Sequence, residues 1–197
     1  MKRILTAAFL MAAVTFVSCT PDKKTEEAEV AETTTDEQTA TVASDSTITD
    51  DKKELMQTIA RHTMLQQEMS KLAAQKATTD EVKQHAQKMQ QLHASKLTEL
   101  QELAQTYNVT LDTTLQDNQQ KHITELNEKQ NVEFDKAYWE KVTDAQKETI
   151  QEYEDVLKDI TSADATAFGI WARTSEKELR AQYEEALALQ LALKNRT

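Results

Sequence analysis

Residues 80–107 read DEVKQHAQKMQQLHASKLTELQELAQTY, and this stretch decides the fold class. Its apolar side chains recur every three or four residues, which is the spacing of one face of an α-helix. The residues of this stripe are Val82, Ala86, Met89, His93, Leu97, Leu100, Ala104 and Tyr107. Thr78 or Thr79 suits the helix start, and Asn108 suits the left-handed residue that ends a helix. The stretch therefore predicts a long amphipathic helix with one face in a core.

The same periodicity predicts four more helices on either side of this one. They cover about 52–77, 113–129, 132–161 and 165–194, with Asp50 and Asp51 capping the first. Tight breaks at 78 and 162 imply antiparallel hairpins, whereas residues 108–131 separate the second long helix from the next. A helix of about 17 residues rises about 26 Å and carries the chain back along the bundle. We therefore expect an all-α, ferritin-like four-helix bundle with a short extra helix in the crossover connection.

Composition excludes several classes of protein. One Gly and one Pro in 197 residues argue against the tight turns of an all-β fold and against glycine-rich phosphate loops. A single Cys, Cys19, rules out disulfides within the chain and thiolate metal sites. The net charge is −11, so the protein repels phosphate backbones, and we expect no nucleic-acid partner.

The N-terminus has the pattern of an export signal. Met1–Arg3 is basic and Ile4–Val17 carries no charge, a run too short to span a bilayer comfortably. Residues 16–19, Phe-Val-Ser-Cys, resemble a bacterial lipobox, in which the cysteine receives a diacylglycerol and becomes the mature N-terminus. We expect a signal peptide over 1–18 and lipidation at Cys19; the alternative is an ordinary cleaved signal peptide with an incidental Cys. Thr20, in place of Asp, favours the outer membrane, with the protein facing the periplasm or the cell surface.

A tether is predicted between the anchor and the bundle. Residues 20–51 hold ten acids, two lysines and nine threonines, but only three large aliphatic residues. Such a segment cannot bury enough apolar surface to offset the entropy of ordering. We therefore expect an acidic, disordered tether over 19–51 and a helical bundle domain over 52–197.

The bundle resembles the DUF4142 family of exported bacterial proteins. The resemblance rests on EMSKLAAQKA at 68–77, EVK at 81–83, AQKM at 86–89, His93, and FDKAY at 134–138. It implies a ferritin-like bundle without a settled function. Relatives often carry three interior histidines and a glutamate in the first helix. In this chain His93 matches the first histidine, whereas Gln146 and Gln182 stand at the other two positions.

These positions lead to a hypothesis about the bundle interior. His93, Gln146 and Gln182 fall on core-facing stripes of three long helices, so we expect a shared, hydrogen-bonded polar layer. Glu68 on the first helix either joins this layer, by accepting a hydrogen bond from His93, or faces water. The simpler alternative is that His93 is an ordinary hydrogen-bonded core residue.

A metal centre of the ferritin type is not expected. Di-iron bundles use Glu-x-x-His on two helices, so that both side chains reach the ions from one face. The residues three before His62, His85, His93 and His122 are Ile59, Val82, Gln90 and Gln119, so the motif is absent. We expect His62, His85 and His122 at helix flanks or on the surface, and Trp139 and Trp171 in core or interface packing.

Two classes of function remain open from the sequence. The first is a non-enzymatic binding or structural module of the cell envelope, held at the membrane by its lipid and binding an envelope protein or a small ligand, with no cofactor. The alternative is a ferritin-like protein for metal binding or redox stress that uses the bundle core. The absent ligand sets favour the first.

Overall fold

The computed structural model describes residues 48–161 and 163–196, and this part of the chain is all-α. Its five helices are α1 (Asp50–Lys76), α2 (Asp80–Thr106), α3 (Asp117–Glu128), α4 (Asn131–Leu157) and α5 (Ala167–Lys194). No strand occurs in these two ranges. The predicted signal peptide, Cys19 and the tether up to residue 47 lie outside them, as does Ser162.

The five helices occur where the periodicity predicts them, with shifts at their ends. Thr49 precedes α1, and Asp50 and Asp51 lie within its first turn, so their predicted role as caps is wrong. Asn108 has a φ of 55°, which confirms the left-handed residue after α2. The third helix begins at residue 117 and the fourth ends at residue 157, both inside the predicted bounds.

Interhelical contacts define the directions of the four long helices. α1 is antiparallel to both α2 and α4, and α5 is antiparallel to both α2 and α4. The contacts that set these directions are His62 with His93, Gln90 with Ser70, Thr149 with His62, Thr78 with Asp135, Lys88 with Glu185, Arg196 with Glu81, and Arg180 with Glu154. It follows that α2 and α4, which are successive long helices with only the short α3 between them, run in the same direction.

A buried carboxylate holds the turn between α1 and α2. Asp135 on α4 is fully buried and accepts hydrogen bonds from the backbone N–H groups of Thr78, at 3.0 Å, and Thr79, at 2.8 Å. The Thr78 hydroxyl donates to the same carboxylate at 2.7 Å. The start of α2 makes no side-chain cap of its own, so Asp135 supplies the acceptor that helix starts require.

Candidate functional site

The core consists of two apolar clusters, and polar residues separate them at one level of the bundle. On α1 the first cluster ends at Ala60 and the second begins at Leu65; on α4 they meet between Ala145 and Ile150. On α2 and α5 the gap between the clusters lies at 87–99 and 180–185. The polar residues in these gaps that we call the polar layer are His62, His93, Gln146, Thr149 and Gln182.

Two histidines from adjacent helices form the centre of the polar layer. His62 on α1 and His93 on α2 are 5% and 4% exposed, and their ring centroids are 6.1 Å apart. Thr149 Oγ1 lies 2.8 Å from His62 Nδ1 and also donates to the carbonyl of Ala145 at 2.8 Å. A hydroxyl has one proton to donate, so Thr149 accepts from Nδ1–H. His62 Nε2 is therefore left with a free lone pair.

A cavity of about 40 Å³ adjoins the two imidazoles. Four polar atoms of its lining residues are buried without a hydrogen-bond partner in the described part of the chain: His62 Nε2, His93 Nε2, Ser175 Oγ and Gln182 Oε1. Trp171 and Leu179 form an apolar wall of the cavity, and the Lys96–Glu178 ion pair lies at its partly exposed edge. The volume suits a few water molecules or one small guest.

Burial keeps the interior histidines uncharged at neutral pH. It lowers the pKa of His62 to about 4. Burial, with smaller contributions from His62 and His85, lowers the pKa of His93 to about 3. The pKa of His85 falls to about 4, again mainly through burial, and its ring contacts the Tyr138 hydroxyl at 2.9 Å. The layer therefore presents neutral imidazoles to the cavity.

The structure brings three of the four predicted layer residues to one level. His93 and Gln182 line the same cavity, and Gln146 is fully buried in the gap on α4. The expected hydrogen bonds among them are not formed: within the described residues nothing pairs with His93 Nε2, Gln182 Oε1 or either amide atom of Gln146. His93, Gln146 and Gln182 are thus polar groups that share one level of the bundle without the predicted hydrogen bonds among them.

Glu68 lies outside the polar layer. Its side chain is 37% exposed, and its carboxylate forms an ion pair with Lys71 at 2.7 Å, one turn along α1. The expectation that it accepts a hydrogen bond from His93 is wrong, and the open alternative, that it faces water, is confirmed. A carboxylate remains in water where it has a nearby lysine, because burial would cost several kcal/mol.

Two histidines lie deeper in the bundle than the sequence predicts. His62 and His85 are buried, so their expected positions at helix flanks or on the surface are wrong. Their spacing in the sequence indicates burial. His62 follows Ile59 by three residues and His85 follows Val82 by three, so each continues an apolar stripe. A neutral imidazole can occupy such a core position, because burial disfavours only its charged form. His122 is half-buried, and the core positions of Trp139 and Trp171 are confirmed.

The residues of this interior do not fit the di-iron centre that ferritin-like folds hold. Across residues 48–161 and 163–196, no group of three or more His, Cys, Asp or Glu side chains is placed to hold a metal ion. The acceptors among the lining residues are imidazole, hydroxyl and amide groups, and the carboxylate among them, that of Glu178, is paired with Lys96.

Comparison with known proteins identifies the family. The model of "Domain of unknown function (DUF4142)" matches residues 37–189. The chain belongs to the DUF4142 family. Curated proteins and solved structures yield no significant match. Among the described helices of this DUF4142 protein, none has the length and apolar character needed to cross a bilayer.

Proposed function

We propose that this DUF4142 protein is a lipid-anchored, non-enzymatic binding module of the bacterial envelope, and that it binds a small guest in the polar layer. The observation that carries the proposal is the cavity with four buried, unpartnered polar atoms, on His62, His93, Ser175 and Gln182. Each such atom costs about 1–3 kcal/mol when it stays unpaired. A guest that pairs with them recovers that free energy.

Binding fits the site better than catalysis does. General acid–base catalysis is most efficient when the pKa of the catalytic group is near the working pH. The pKa values of His62 and His93, about 4 and about 3, are far below neutrality. The cavity of about 40 Å³ also leaves little room for an organic substrate beside a reacting group.

The bundle topology supports a ferritin-like arrangement, which we propose as the finer fold. The connection between α2 and α4 contacts α1 near both ends, because Asp112 hydrogen-bonds with Gln57 and Lys76 contacts Asn127. Those α1 residues are about 28 Å apart along the helix. The connection, with α3 inside it, thus accompanies α1 along most of its length, which is the ferritin-like crossover.

The anchor follows from the N-terminal pattern. We propose cleavage after residue 18, lipidation of Cys19, and an acidic tether over 19–51 that holds the bundle at the outer membrane, in the periplasm or at the cell surface. Wild-type cells should incorporate labelled fatty acid into the protein, and Cys19→Ala should abolish the label. A wild-type protein that is never labelled would show that the chain is not a lipoprotein.

The interior binding site can be tested without knowing the guest. Lipidated protein is extracted in detergent, and half is unfolded in denaturant and refolded in buffer with chelator. A bound guest stabilises the extracted sample by RT ln(1 + [L]/Kd), so its melting temperature should exceed that of the refolded sample. The difference should vanish in His93→Gln and persist in His122→Gln. Equal melting temperatures for the two wild-type samples would refute an interior guest.

The alternative, a ferritin-like metal or redox protein, has one observation in its favour. His62 and His93 offer two neutral imidazoles at a separation that one ion could bridge. Two imidazoles do not complete the three or more protein ligands that iron and zinc sites use in proteins. Analysis of the extracted protein for iron and zinc tests this alternative.

A further inference from the structure

We infer that His62 and His93 form a two-coordinate site for a soft monovalent metal ion, Cu(I) or its analogue Ag(I). The inference deepens the proposed function, on which it rests, by assigning the guest of the polar layer. It starts from the pair of rings, which come from different helices and line one cavity. Neither ring was assigned to a metal by the sequence.

The separation of the rings suits one bridging ion. Two imidazole nitrogens that bind the same ion at about 2.0 Å place their ring centroids about 6 Å apart. The observed separation of the His62 and His93 centroids is 6.1 Å. The Nε2 atom of each ring is buried and has no partner in the described ranges, so both atoms are free to act as ligands.

Thr149 prepares one of the two ligands. Its hydroxyl oxygen accepts a hydrogen bond from Nδ1–H of His62, which holds that ring in the tautomer with a lone pair on Nε2. Histidine ligands in metal sites commonly make such a hydrogen bond through their second nitrogen, and the bond fixes the ring and raises its basicity. Thr149 is thus a positioning residue for His62.

The composition of the site selects a soft ion of low charge. Two neutral imidazoles bring no negative charge, and burying a divalent ion between them would leave most of its charge uncompensated. The other described oxygens of the lining residues that have no partner are Ser175 Oγ and Gln182 Oε1, hard donors that soft ions bind poorly.

The test uses the lipidated, refolded full chain described above, titrated with Ag⁺ and, under anaerobic reducing conditions, with Cu(I). We expect one ion per chain and a rise in melting temperature, with no rise for the same concentration of Zn²⁺. In ¹⁵N spectra of the imidazoles, the Nε2 signals of His62 and His93 should move on addition of Ag⁺. The signals of His85 and His122 should stay in place. Movement of all four histidines, or of neither His62 nor His93, overturns the site.

Variants separate ligands from positioning groups. His62→Gln and His93→Gln should abolish one-to-one binding, whereas His85→Gln, a change at another buried histidine, should leave it intact. Thr149→Val should weaken binding by about 10- to 100-fold, the usual effect of losing a partner behind a ligand. Equal affinity of wild type and Thr149→Val overturns the positioning role, and retained binding in both ligand variants overturns the site.

The outcomes of these tests distinguish a wrong choice of ion from a failure of the proposed binding function. If extracted protein melts higher than refolded protein but Ag⁺ and Cu(I) do not restore the difference, the ion is wrong and interior binding stands. If the two preparations melt alike and neither ion binds, both proposals fail. If either ion restores the stability of the refolded protein, and His62→Gln removes that effect, the assignment is supported.

Discussion

The three buried histidines should make the stability of the bundle depend steeply on pH. In the unfolded chain each has a pKa of about 6.5, whereas burial lowers the folded values to about 4, 4 and 3. Between those limits the unfolded state binds more protons, so stability rises with pH. The loss of stability that results from keeping these histidines uncharged is absent above about pH 7 and grows as the pH falls below 6.5.

The expected size follows from these pKa values. From pH 7.5 to pH 5.0, each buried histidine removes about 2 kcal/mol from the free energy of unfolding. The result depends little on the folded values, since all lie below 5. Three histidines remove about 6 kcal/mol, which is comparable to the whole stability of a small domain. Paired carboxylates with lowered pKa contribute mainly below about pH 4.5 and leave this window to the histidines.

Urea unfolding followed by circular dichroism, at half-unit steps from pH 7.5 to 5.0, measures the effect. At pH 5.0 the slope should correspond to about three protons, or about 4 kcal/mol per pH unit. His93→Gln should reduce the slope by about one proton. A wild-type slope below one proton would show that the interior histidines titrate normally and are solvated.

Two further predictions concern buried polar groups. Asp135→Asn should lower the free energy of unfolding by about 2–4 kcal/mol, because charge-assisted hydrogen bonds to the turn of residues 78–79 are weakened. The control Glu133→Gln, at a side chain that is 68% exposed, should change this free energy by less than about 0.5 kcal/mol. Equal urea midpoints for the two variants would remove the carboxylate as the cap. Gln146→Met should raise the free energy of unfolding by about 1–3 kcal/mol, because it removes two buried polar atoms without partners. A lower urea midpoint than that of the wild type would show that Gln146 is paired.

The amino-acid sequence by itself determined the elements of the fold. Periodicity located all five helices, and the long interval between the second and fourth predicted that they run in the same direction. These properties are local, because helical spacing, chain breaks and chain length act over a few residues. The same logic placed His93 and Gln146 in the core.

Only the tertiary structure decided which polar groups meet. The ring centroids of His62 and His93 lie 6.1 Å apart because α1 and α2 pack antiparallel. Asp135 contacts the α1–α2 turn from a helix more than fifty residues away in the sequence. The sequence also could not tell that Glu68 pairs with Lys71 at the surface while the polar residue His62 enters the core uncharged. Burial and pairing depend on neighbours from other helices, and those neighbours set the pKa and the hydrogen bonds of each side chain.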